Sequence, residues 1–208
     1  MRIGRIVIVS LCLSVAVGTV SMGVITGSAH DFSSESWNST GEICVVCHAP
    51  HGGAPLADAP LWSHSLTVQN FTLYSSGTLD ASDLGQPQGT SRLCLSCHDG
   101  TIALDSFGGD TGSPSNTIDE VIAPGGNLNT EHPISFTFSA ALATTDGGLY
   151  NPTTTNSGLG STIDNDMLFG GKLECSSCHD VHNAASTGSN LLIKDNAGSA
   201  LCLTCHNK

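Results

Sequence analysis

Large apolar side chains are scarce in this chain. Aromatic residues make up 5% of it, as six Phe, two Trp and two Tyr, while glycine alone contributes 24 of the 208 residues. A polypeptide this poor in bulky groups struggles to bury a core of its own. Basic residues are scarcer: six Lys and Arg stand against eighteen Asp and Glu, a formal net charge of −12. That balance argues against a nucleic-acid binder and against attraction to anionic membranes. Long periodic segments are missing too. Only Ile134–Phe138 alternates apolar and polar residues, which predicts one short strand, and nothing predicts a long helix or a large sheet. Methionine occurs only as Met1, Met22 and Met167.

The one long apolar run lies at the start. Met1-Arg2-Ile3-Gly4-Arg5 is basic, and an apolar stretch from Ile6 to about Ile25 follows it. Gly27-Ser28-Ala29 then offers small residues at the first and third positions of a signal-peptidase site. Residues 1–29 therefore read as a secretory signal peptide, with an uncleaved anchor as the alternative. Cys12 lies inside the run behind Leu11, not the small residue a lipoprotein would want. Cleavage after Ala29 leaves no stable membrane span. The remaining residues 30–208 keep four basic and eighteen acidic residues, a formal net charge near −14, because Arg2 and Arg5 leave with the signal.

What the chain does have is one short string, four times over. It is Cys-x-x-Cys-His, at Cys44, Cys47 and His48; Cys94, Cys97 and His98; Cys175, Cys178 and His179; and Cys202, Cys205 and His206. Eight of the nine cysteines fall in these strings. Two thiols three positions apart can each form a thioether to one haem vinyl group, and the next histidine then sits under the iron as its proximal ligand. The expected cofactors are four haem c. Zinc binding through Cys-x-x-Cys pairs is the bland rival, but zinc does not need a histidine directly after every second cysteine. Export to an oxidising compartment also disfavours free thiols.

The strings fall into two pairs. The first member of each pair has a further histidine three residues on, His51 after His48 and His182 after His179. The second members share the context Leu-Cys-Leu-x-Cys-His, starting at Leu93 and Leu201. That is an internal repeat of a two-haem unit, over about 30–110 and about 165–208, joined by a Gly/Thr-rich segment. The fold class expected is a mostly irregular, coil-rich multihaem cytochrome with a few short helices and little strand. The haem stack serves as the core of a single domain over residues 30–208. Haem-free protein should then be unfolded. Helical turns should form at the motifs, and Gly147-Gly148, Gly158-Leu159-Gly160 and Gly170-Gly171 should form turns. Asp164-Asn165-Asp166 reads as a turn as well, rather than a cation site.

Four proximal histidines leave five others: His30, His51, His64, His132 and His182. That near match to four sixth ligands predicts bis-histidine irons. His51 and His182 recur at one offset. His132 precedes Pro133, which holds its backbone extended. His64 follows Trp62, an indole able to pack on a porphyrin face. His30 would stand at the mature N-terminus, where chains fray. Met167 is the sole rival ligand and reads as an ordinary apolar contact. One histidine is left over, either as a spare or as a ligand reaching into a neighbouring copy. Such a head-to-tail contact builds an open filament.

Taken together, these motifs resemble the multihaem c-type cytochromes of the doubled CXXCH kind. The strings Ile43–Gly53, Leu61–Ser65, Cys94–Thr101, Glu131–Phe136 and Phe169–Asn183 carry the resemblance. That family includes extracellular tetrahaem cytochromes of metal-reducing bacteria that polymerise into conductive filaments. There every iron has two histidines, and one ligand per subunit comes from the neighbour. The resemblance implies electron transfer through four bis-histidine haems and places His51 in the role of the exchanged ligand. Partners would be other cytochromes, extracellular electron acceptors and further copies of the chain, at the cell surface or outside the cell, with the periplasm as the alternative. A soluble shuttle docking on basic partners is the second reading. A multihaem reductase is the third. It needs an iron with an open face, and no Cys-x-x-Cys-Lys string of the kind pentahaem nitrite reductases use occurs here.

Overall fold

The computed structural model describes residues 25–57, 59–182 and 190–208. The signal segment expected over residues 1–29, with Cys12, lies outside the described residues as far as position 24. Within the described residues most of the backbone is coil and turn, as the composition predicts.

The first described segment is tied down by polar side chains and rings. Asp31 caps a single 3-10 turn, Phe32–Ser34, and also accepts the Gly27 N–H at 2.7 Å. Phe32 meets Trp37 at 5.5 Å between ring centres, and Trp37 meets Phe107 at 6.4 Å. His30 therefore does not fray as its position predicts. It is half-buried beside Phe32, and aromatic contacts fasten the segment to a loop some seventy residues on.

Strands β1 (Ala54–Leu56) and β2 (Ala59–Trp62) pair antiparallel, with Ala54 opposite Trp62. Gly53 makes that approach possible, since a Cβ there would lie 2.4 Å from the Leu61 carbonyl. Helix α1 (Gly89–His98) spans ten residues and ends on the second motif. Thr67 fastens it to the preceding loop. Its carbonyl accepts two bonds from the Arg92 guanidinium at 3.0 and 3.2 Å, and its N–H donates to Ser96 Oγ at 3.0 Å. Its hydroxyl donates to the buried Asp99.

Strand β3 is only Phe136–Thr137, paired antiparallel with β4 (Lys172–Leu173). The longer strand expected over Ile134–Phe138 is cut short because Ser135 takes a left-handed backbone, φ 62°. Helix α2 (Ala140–Asp146) starts on a Ser139 cap and stops at Gly147, φ 71°, a position that favours glycine. Helix α3 (Ile163–Met167) is capped by Thr162 and takes in Asp164, Asn165 and Asp166, which the sequence predicts as a turn. Asp166 accepts from the Ser161 N–H at 2.7 Å and from the Ser157 hydroxyl, so the acidic trio organises the loop before its own helix. The fourth motif forms α4 (Cys202–Cys205).

Side chains do build a core, in an unexpected place. The larger cluster joins Phe136, Phe138, Ala143, Ile163, Met167, Leu168, Leu173 and Leu201. Half of these lie in the Gly/Thr-rich segment that the repeat pattern treats as a connector. Cys178 and Cys205 pack against the cluster, so it backs the third and fourth motifs. A smaller cluster of Phe71, Leu95, Ala123 and Leu128 backs the second. Met167 is 2% exposed and sits among apolar neighbours. Met167→Ala is expected to destabilise the haem-loaded protein by about 2–5 kcal/mol, read from denaturant midpoints, with the haem spectrum unchanged. Among the described residues no helix is long and apolar enough to cross a membrane.

Candidate haem-attachment sites

Each motif is one helical turn. The histidine N–H reaches back to the first cysteine's carbonyl at 2.8 Å for His48–Cys44, 3.0 Å for His179–Cys175 and 3.0 Å for His206–Cys202. The second motif takes the same form inside α1. This turn sets two thiols and an imidazole side by side, the arrangement that covalent attachment to one porphyrin requires.

The thiols of the four motifs run in series along the chain. Cys47 is near enough to Cys94 and Cys97 to raise their pKa values. The Cys94 and Cys175 thiols lie close enough to shift each other's pKa in opposite directions, Cys94 up and Cys175 down. Cys178 in turn feels Cys202 and acts on Cys205. Burial pushes Cys47 to about 11, Cys97 to about 12, Cys178 to about 11 and Cys205 to about 11. These thiols are therefore kept protonated and are poor nucleophiles in the absence of a partner.

Three motif histidines are anchored by their Nδ1–H. His48 donates to the Pro60 carbonyl at 2.8 Å, His98 to Glu120 at 3.1 Å and His179 to Asn190 at 2.7 Å. A carbonyl can only accept, so the proton belongs on Nδ1 and the Nε2 lone pair is left for a metal.

Three of the five remaining histidines face a motif histidine. The ring centres are 6.0 Å apart for His30 and His98, 6.0 Å for His48 and His182, and 6.2 Å for His132 and His206. A metal holds an imidazole nitrogen at about 2.0 Å, so two imidazoles on opposite faces of one metal stand roughly 6 Å apart, centre to centre. The interplanar angles of 45°, 36° and 75° are no obstacle, because rings that share an axis can turn about it. His132 also donates Nδ1–H to the Pro133 carbonyl at 2.9 Å, leaving its Nε2 free. Burial lowers the His30 pKa, with further lowering from His98 and His179, which favours the neutral form that a metal needs.

The other two candidates, His51 and His64, face no motif histidine. His64 is 4% exposed and lies between two backbone carbonyls, Ser65 at 2.9 Å and Ala103 at 3.1 Å. His51 is exposed in the turn after the first motif. Among the described residues nothing stands opposite His179 at the 6 Å spacing, and its ring is exposed. Trp62, expected against a porphyrin, meets His48 edge-on at 6.1 Å.

This donor set suits haem. Among the described residues no three His, Cys, Asp or Glu side chains converge as a bare ion would need. Two imidazoles per site are enough for an iron whose other four ligands come with its macrocycle. Of three buried side-chain polar atoms with no partner, His30 Nδ1 and Trp62 Nε1 lie beside these pairs, where a further group would meet them.

One element escaped the sequence. Glu174, directly before Cys175, is 2% exposed and accepts from Ser135 Oγ at 2.7 Å and from the Ser91 hydroxyl. Its signal was modest but present: the residues before the other three motifs are Ile43, Leu93 and Leu201.

The family model of the doubled CXXCH motif matches residues 168–208, which hold the third and fourth motifs. That match supports covalent haem c binding and a c-type cytochrome-like, electron-carrying character for this part of the chain. A search of curated proteins finds no match to the chain.

Proposed function

We propose that this chain is an exported electron carrier with four haem c groups, each held between two histidines, and that its copies join head to tail in an extracellular filament. The observation that carries the reading is the set of three histidine pairs at 6.0–6.2 Å, together with what they leave over. Haem supplies the one-electron chemistry. The chain supplies everything else. Backbone carbonyls fix the tautomer and tilt of His48, His98 and His179. The buried clusters pack behind the second, third and fourth motifs. The series of neighbouring thiols supports four attachments arranged in chain order.

Copies join through the left-over pair. His182, three residues after the third motif's histidine, reaches across to the first motif's His48. Among the described residues its repeat mate His51 has no histidine opposite it, and neither does His179. Both are exposed. The same crossing, made between copies, brings His51 of one subunit to His179 of the next. A contact between different patches does not close on itself unless the rotation allows it, and it propagates as a fibre. His64, buried against Ala103, is the spare histidine. On this reading no iron keeps an open face, which leaves no site for a reductase substrate.

A soluble shuttle is the second reading, favoured by the net charge near −14 of residues 30–208. Negative-stain electron microscopy of the natively secreted protein separates the two, with a pyridine haemochrome assay on the same sample. Four haems per chain with thin regular fibres is the expected result. Four haems with small particles would favour the shuttle, and fewer than four would sink the motif reading.

A further inference from the structure

We propose that Glu174 is a positioning residue that locks the second and third haem attachments together and, as a buried negative charge, holds the potentials of both irons down. The inference rests on the reading that these motifs carry haem.

The carboxylate sits where three segments meet. From α1 comes Ser91, a turn before Cys94, whose hydroxyl donates to Glu174. The loop before β3 supplies Ser135, whose hydroxyl donates at 2.7 Å. From the third motif comes the Ser177 N–H, which also donates to the carboxylate, while Ser177 Oγ accepts the Glu174 N–H at 2.9 Å. The serines extend the junction. Ser91 Oγ accepts the Cys175 N–H at 2.9 Å, and Ser135 Oγ accepts the Gln88 N–H at 3.1 Å. Ser91 and Ser177 are 0% exposed and Ser135 is 4% exposed. The Cys94 and Cys175 thiols meet at the same junction.

Two features mark this as more than packing. First, every group facing the carboxylate is a donor, the environment of the anion, and among the described residues no Lys, Arg or His pairs with it. A buried charge answered only by dipoles keeps its field. Second, Ser135 reaches Glu174 from a left-handed backbone that serine rarely adopts, φ 62°. Such local strain persists where the surrounding structure demands it. An uncancelled negative charge favours the ferric over the ferrous state. At an effective dielectric near 20, one charge on the order of 10 Å from an iron changes such a ratio roughly tenfold.

The test is a spectroelectrochemical titration of the haem-loaded protein. Glu174→Gln keeps the shape and removes the charge. Two of the four potentials should rise by a tenfold change in the ferric-to-ferrous ratio, about 59 mV for one electron. Glu174→Asp keeps the charge and should hold both values near those of the native protein. Unchanged potentials in a fully loaded Glu174→Gln protein would overturn the proposal. So would equal shifts in the Gln and Asp variants, which would mean that packing alone is at work. If Glu174→Gln yields no holoprotein, Ser135→Ala decides the matter: one fewer donor leaves the charge less compensated, and the same two potentials should fall. No change, or a rise, would overturn it. A haemochrome count on the native protein keeps this outcome apart from a failure of the haem reading.

Discussion

His51→Ala is expected to abolish fibres while leaving four haems attached per chain. The variant touches no cysteine and no motif histidine, so covalent loading should proceed. What it removes is an exposed imidazole that, among the described residues, has no histidine facing it. The iron at His179 would lose its second ligand, and one haem in four should turn high-spin in the electron paramagnetic resonance spectrum of the resting protein. The other three, closed by His30, His132 and His182, should stay low-spin. His64→Ala is the control. His64 is buried between the carbonyls of Ser65 and Ala103 and faces no motif histidine. Its loss should lower stability through the lost buried packing and carbonyl bond and leave both fibres and spin states intact. A high-spin haem in His64→Ala, with fibres persisting in His51→Ala, would make His64 the fourth ligand and end the filament argument.

The second large effect concerns the chain without its cofactor. Residues 30–208 produced in the cytoplasm, where haem is not attached, are expected to be unfolded. The reason is in the distribution of the core. The larger cluster draws its buried members from Phe136 to Leu201, with Ala81 and Leu84 packed on it, and the smaller one holds Phe71, Leu95, Ala123 and Leu128. The first motif rests on a two-stranded hairpin and on Trp62. Such hairpins are marginal alone. The histidine pairs, 6 Å apart, have nothing between them without iron, and each pair spans distant parts of the chain. Small-angle scattering should give a radius of gyration near 45 Å for the haem-free chain, against about 16 Å for a compact chain of this length. A compact, protease-resistant haem-free protein would show that side chains suffice.

Much of the site was legible because covalent attachment demands a fixed local spacing. The four Cys-x-x-Cys-His strings, the two-unit repeat and the coil-rich character could all be read from residue order and composition. The axial partners were harder, since an imidazole can reach an iron from any part of the chain. His30 looked the weakest candidate from its place at a terminus, yet Asp31 and the Phe32–Trp37–Phe107 contacts hold it opposite His98. His64 looked strong beside Trp62, yet the fold turns it towards Ala103. The sequence leaves open which motif His182 serves, and the fold stands it across from His48.

The Gly/Thr-rich stretch misled for a different reason. Its apolar residues are spread too thinly to show a period, and only the tertiary arrangement gathers Phe136, Phe138, Ile163 and Met167 into one cluster. Glu174 was likewise invisible as a junction, because its donors Ser91 and Ser135 lie 83 and 39 residues away.

By itself, then, the sequence determined where the four Cys-x-x-Cys-His strings stand and how they repeat, because each is written within five consecutive residues. It also determined a chain poor in bulky side chains and basic groups. Only the tertiary structure decided which histidines face one another, which two are left exposed, the serial order of the thiols and the buried carboxylate between them. Those are contacts between residues far apart in the chain, and their geometry exists only once the backbone has closed around the sites.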